Sequence, residues 1–160
     1  MMRALGMVLV AVAISNGMVA TPATAAGDFP LASCASWNGT IVEREGIDTR
    51  TAMIKGIITK ADLQDYCERD PGGEVKPPGS KSGISQCVAR HLKTESDVEL
   101  LAMANCPAGL LEFQYGSQAP RHLKFPLRPK ADVSCASGNP PLIAQFKLLC
   151  PKAASRMRLN

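Results

Sequence analysis

Few residues of this chain can do chemistry: two histidines, His91 and His122, and six cysteines, Cys34, Cys67, Cys87, Cys106, Cys135 and Cys150. A histidine titrates near neutral pH, so a converging pair with a carboxylate such as Glu99 or Glu112 could shuttle protons or hold a metal ion. Both histidines fall in segments that read as strands, where a partly exposed scaffold histidine is the plainer assignment. Nothing else completes a catalytic set. The chain has no Gly-x-Ser-x-Gly elbow, no Ser-x-x-Lys, no His-Glu-x-x-His and no phosphate-cradling glycine loop. A paired-carboxylate glycosidase would need a deep cleft, which a small stapled domain seldom provides. His91 and His122 are thus the one candidate site, no catalytic, metal or cofactor-binding residue is assigned, and no cofactor is expected.

The cysteines carry more. Their successive spacings are 33, 20, 19, 29 and 15 residues, and no Cys-x-x-Cys occurs, which disfavours zinc knuckles and thioredoxin-type redox sites. An even set in an exported chain reads as three disulfides, which would leave no thiol nucleophile. Each bridge would contribute about 3 to 5 kcal/mol through restriction of the unfolded chain. Residues 70–83 hold nine Pro, Gly or Ser in fourteen, so they form a surface loop, and a Cys67–Cys87 bridge would close it at its base. That is the leading pair among 15 possible connectivities.

Export is read from the first residues. Arg3 precedes an apolar run over 4–14 and a small-residue zone ending in Ala23-Thr24-Ala25. The run is too short to span a bilayer, which takes roughly 20 residues. Residues 1–25 are therefore expected to be a cleaved signal peptide, with a single domain over 26–151 and a basic, flexible tail over 152–160. The localisation that follows is periplasmic or secreted, with no transmembrane segment after processing.

Charge is unevenly placed. Residues 26–120 carry nine basic and thirteen acidic side chains, whereas residues 121–160 carry eight basic and one acidic. The basic section could meet an anionic surface or an acidic partner, although solvated surface is its ordinary role. Nucleic acid is disfavoured, since 4% aromatic residues offer few stacking platforms. Asp62, Asp65, Glu68, Asp70 and Glu74 make an acidic cluster, but the alternating acidic loop of an EF-hand calcium site is absent.

The elements that must position these residues centre on 86–115, the densest apolar run of the chain beyond residue 25. Residues 59–69 form the clearest helix: Thr59 can cap it, Asp62 suits its first turn, and Leu63, Tyr66 and Cys67 share a buried face. Residues 27–37 read as an irregular lead-in, with the single tryptophan, Trp37, covering the core or serving a ligand. Residues 40–45 and 52–58 read as short strands or turns, with helix also open for the second, and 87–92 can be a strand. For 96–105 two readings compete. A capping pattern at Ser96 to Glu99 and good helix formers favour a helix. The alternative is a strand, apolar on both faces over 100–104, that turns through 106–109 into the alternating strand 110–115. Residues 121–127 can add an edge strand limited by Pro126. A helix with an Asn139 cap should run over 139–150, presenting Leu142, Ile143, Phe146, Leu149 and Cys150 on one face.

The segment 134–151, SCASGNPPLIAQFKLLCP, resembles the end of small uncharacterised exported proteins of alphaproteobacteria, which share a Ser-Gly segment, a Gln-aromatic pair (Gln145, Phe146) and a closing Leu-Cys. Ala104 to Gly109 is similar to their cysteine turn, and Asp65-Tyr66-Cys67 through Gly73 to their helix stop. The resemblance covers about half of the chain beyond residue 25 through short motifs. It implies that the cysteine turn joins two strands, which favours strand for 98–105, and it brings no function. The expected fold is α+β: a small antiparallel sheet of three or four strands with two flanking helices, stapled by disulfides. The expected function is non-catalytic binding or envelope support, with an envelope or extracellular protein or an anionic surface as partner. The alternatives are inhibition of a cell-wall-degrading enzyme and a small secreted hydrolase using a His-centred site.

Overall fold

The computed structural model describes residues 27–32, 37–69, 83–96, 98–128, 131–134 and 138–159. The expected signal peptide, most of the 70–83 loop, Cys34 and Cys135 lie outside them. Six strands form one antiparallel sheet in sequence order: β1 (Asp28–Ala32), β2 (Trp37–Glu45), β3 (Ala52–Ile57), β4 (Glu99–Asn105), β5 (Leu110–Tyr115) and β6 (Arg121–Lys124). Two helices, α1 (Lys60–Arg69) and α2 (Ile84–Glu95), interrupt the meander between β3 and β4; α3 (Asn139–Leu149) and α4 (Pro151–Arg156) follow it.

Among the described residues the sheet is thus larger than the three or four strands expected, and four helices replace the expected two. One strand that the sequence reading took for an irregular lead-in is β1. Pro30 hides it in the sequence, yet a proline is tolerated on an edge strand, which is the position β1 takes. Residues 87–92, read as a strand, belong to α2, because Cys87, Val88 and Leu92 recur at helical spacing and turn one face inward. Residues 99–105 do form a strand despite their helical propensity: β4 is paired on both sides, with Met53 opposite Met103 and Met103 opposite Glu112. Tertiary pairing overrides propensity where both ladders are filled.

The core lies on one face of the sheet. Phe29, Ile41, Ala52, Ile54, Leu100, Ala102, Ala104, Leu111 and Phe113 project towards Leu142, Phe146 and Leu149 of α3. Phe125 stacks on Phe146 with ring centroids 4.2 Å apart. Gly56 permits a close contact, since a Cβ there would stand 2.6 Å from the Phe29 ring. Gly138, with φ +70°, holds the N-cap of α3, so Asn139 is its first residue rather than its cap.

The segment expected to fray beyond 151 carries α4, with Ala153 and Ala154 buried. Asp48 holds it in place: its N–H donates to the Leu149 carbonyl, and its carboxylate accepts the Lys152 N–H, each at 2.9 Å. A carboxylate on the free N–H groups of a first turn suits the helix dipole. Among the described residues two disulfides staple the fold, Cys67–Cys87 joining α1 to α2 and Cys106–Cys150 joining the β4–β5 turn to the end of α3. Among the described residues no cysteine is free.

Candidate functional site

His91 lies on α2, not on a strand. Its ring meets Trp37 and Tyr66 edge-on, with centroids 5.5 Å and 5.4 Å away, and Trp37 stacks on Tyr66 at 4.7 Å. The Cys67–Cys87 pair lies beside it, and one atom from each of the three residues falls within 4.8 Å of the others. Helical geometry makes this local: Cys87 and His91 are four residues apart and so share a face of α2. Trp37 therefore covers the side of the core where α1 and α2 meet β2.

His122 lies on the edge strand β6, with Nδ1 3.7 Å from Oε2 of Glu112 on β5 and its side chain largely exposed. The strand order separates β2, which carries the Trp37 wall of the His91 cluster, from β6 by four interstrand steps. At about 4.8 Å per step that is roughly 19 Å. The two histidines belong to different neighbourhoods, and no shared carboxylate links them.

The acidic cluster is spent locally. Oδ2 of Asp62 accepts the N–H and hydroxyl of Thr59 at 2.7 Å each, and its carboxylate also accepts the Thr40 hydroxyl at 3.0 Å. The Asp62 N–H donates back to the Thr59 hydroxyl at 3.2 Å, a capping box that fixes the start of α1. Asp65 pairs with Arg69, and Glu68 accepts from Gln64. Asp70 and Glu74 lie outside the described residues. The basic C-terminal section is spread over β6, α3 and α4 rather than gathered on one of them: Arg121 donates to the Gly138 carbonyl, and Lys152 stands 3.8 Å from Asp48.

The feature that sequence reading missed is the outer face of the sheet. Alternation in β3, β4 and β5 sends Met53, Lys55, Leu101, Met103, Glu112 and Gln114 to the side opposite α3. Leu110 and Lys124 pair with each other on the same side. Met103 and Leu110 remain 39% and 45% exposed, large fractions for apolar side chains on strands paired on both sides. Around them runs a depression of about 650 Å³, lined only by strand residues and the turn at Arg50 and Thr51. Its floor is the directly paired Met53 and Met103 with Leu110, and its rim carries Arg50, Glu112, His122 and Lys124. Further along the same face, Lys55 and Glu43 pair at 2.6 Å. That hydrogen bond lowers the Glu43 carboxyl below its ordinary range and raises the Lys55 ammonium above its own. The signal for this face was in the sequence: residues 100–104 are apolar at every position, so a strand there must show apolar side chains on both faces.

Thioethers and leucine give an adaptable apolar floor, and the rim offers charges of both signs. Among the described residues no helix is long and apolar enough to cross a membrane. The disulfides fit an oxidising, extracytoplasmic setting. The chain matches no family model, no curated protein and no solved structure.

Proposed function

We propose that this is an exported, non-catalytic binding domain, periplasmic or secreted, that engages an envelope or extracellular protein through the open face of its sheet. The observation that carries the reading is the strip of Met53, Met103 and Leu110 on the outer face towards one end of β3, β4 and β5, with Met103 and Leu110 exposed and Arg50, Glu112, His122 and Lys124 beside them. Methionines in such a strip adapt to irregular partner surfaces, and a charged rim sets orientation. The hydrolase alternative needs His91, His122 and a carboxylate in one pocket, whereas the depression that carries His122 and Glu112 does not include His91, which favours the binding reading. Inhibition of a cell-wall-degrading enzyme is one form the binding could take.

The test uses the folded mature protein with a photo-crosslinking residue in place of Met103 and, as a control, in place of the exposed Lys93 on α2. Irradiation with envelope extract should give a discrete adduct from position 103 that disappears when Met53→Glu is added, with the denaturation midpoint unchanged. Equal adducts from position 93, or an adduct indifferent to Met53→Glu, would sink the reading.

A further inference from the structure

The Cys67, Cys87 and His91 group lies at the α1–α2 junction, away from the open face, and serves no part in the binding reading. Cys67 and Cys87 are 0% and 1% exposed, and His91 beside them is half-buried. The three ligand atoms lie within 4.8 Å of one another, from residues whose positions are over-determined: Cys67 on the buried face of α1, Cys87 and His91 one turn apart on α2. Trp37 and Tyr66 wall the imidazole on two sides and limit its rotation. Cα atoms of the two cysteines are 5.8 Å apart, a distance from which both sulfurs can reach about 2.3 Å from one zinc ion.

We propose that Cys67, Cys87 and His91 form a redox-gated cation site, closed while the sulfurs are bonded to each other and able to hold zinc or a similar soft divalent ion once they are reduced. The gating step balances with a dithiol as reductant: its two sulfurs give up two electrons and two protons, becoming a disulfide, while Cys67 and Cys87 become thiols. Zinc then displaces both thiol protons and is held by two thiolates and one imidazole nitrogen, leaving a fourth position for water. That ligand count is the one found in open zinc sites. The missing Cys-x-x-Cys spacing is no obstacle, because Cys87 and His91 supply a pair one turn apart on α2 and Cys67 arrives from α1 rather than from a short loop.

The experiment compares oxidised mature protein with protein reduced by a water-soluble phosphine, each titrated with Co2+ and then Zn2+ without oxygen. Reduced protein should take up one equivalent of Co2+ with a thiolate-to-cobalt charge-transfer band that Zn2+ abolishes. Bound zinc should shield Cys67 and Cys87, and no other cysteine, from alkylation mapped by mass spectrometry. Oxidised protein should show no such band. His91→Phe keeps a ring between Trp37 and Tyr66 but removes the nitrogen, and should weaken zinc by about tenfold or more. Should reduction loosen the α1–α2 pair, zinc must restore the helical circular dichroism, since ligand binding then drives folding. No uptake on reduction, shielding at other cysteines, unchanged affinity in His91→Phe, or loosening that zinc does not reverse would each overturn the proposal.

Discussion

Nε2 of Gln145 donates a 2.7 Å hydrogen bond to the carbonyl oxygen of Pro30. The contact crosses 115 positions of sequence and ties α3 to the edge strand β1. Gln145 is the only polar side chain among the buried described residues, fully inaccessible, and its Oε1 has no partner among them. Exchange for the similarly shaped methionine, Gln145→Met, removes the donor to Pro30 and also removes that unpaired oxygen. The first effect outweighs the second, because the lost bond leaves a strand carbonyl unsatisfied at the edge of the core. Chemical denaturation should show a loss of about 1–2 kcal/mol. Hydrogen exchange should quicken first at Ile41, whose N–H bonds to the Gly27 carbonyl at the start of β1. An unchanged midpoint would mean that the bond is not needed to hold β1 on α3.

How much of this was legible follows from where each element gets its stability. The α1 helix was readable because its determinants are local: Thr59 and Asp62 cap each other, and Leu63, Tyr66 and Cys67 recur at helical spacing. The β5 alternation was readable for the same reason. β4 was not, since its local residues favour a helix and only its two ladders make it a strand. β1 is five residues with a proline, stabilised by β2 and by a glutamine far along the chain. Placing α2 wrongly put His91 on a strand and left the aromatic cage around it unseen. The open face was half visible in the doubly apolar run of β4, but that it stays uncovered is a property of where α3 packs.

The β4–β5 turn offers a sharper test. Gly109 has φ +67°, and a Cβ there would lie 2.4 Å from the carbonyl oxygen of Phe125, whose N–H donates to the Gly109 carbonyl. Gly109→Ala must therefore bear both the left-handed backbone and a displaced strand end, a loss of about 2–4 kcal/mol by denaturation. Gly116→Ala makes the comparison, with φ +51° but its nearest neighbour 3.4 Å away on Val98. It should cost only about 1–2 kcal/mol of backbone strain. Equal losses would show that the Phe125 contact yields freely.

Tyr115 gives a pH signature. Burial, and then its hydrogen bond to the Glu95 carboxylate, hold its phenol well above the ordinary tyrosine range. The unfolded chain gives up this proton near pH 10, about the ordinary value, while the folded protein keeps it. Above that pH the unfolded state binds fewer protons, so stability falls as pH rises; below it the contribution is fully present. Denaturation midpoints should thus drop steeply above about pH 10, and Tyr115→Phe should flatten the drop. Phenolate absorbance should report Tyr115 ionising only with unfolding. A Tyr115 that titrates in the folded protein near pH 10 would contradict this.

The disulfides set the last prediction. Cys106–Cys150 spans 44 residues and fastens the β4–β5 turn to the C-terminal end of α3, where Leu149 also receives the Asp48 N–H. Closing a loop of that length restricts the unfolded chain by about 4 kcal/mol, a large share of a stability of roughly 5–15 kcal/mol. Replacing both Cys106 and Cys150 by alanine should lower the denaturation free energy by several kcal/mol, whereas severing Cys67–Cys87, with its shorter separation of 20, should cost less. Cys34 and Cys135 complete the even set, so protein denatured without reductant should show no titratable thiol. One or two equivalents of thiol would mean that two bridges, not three, carry the domain.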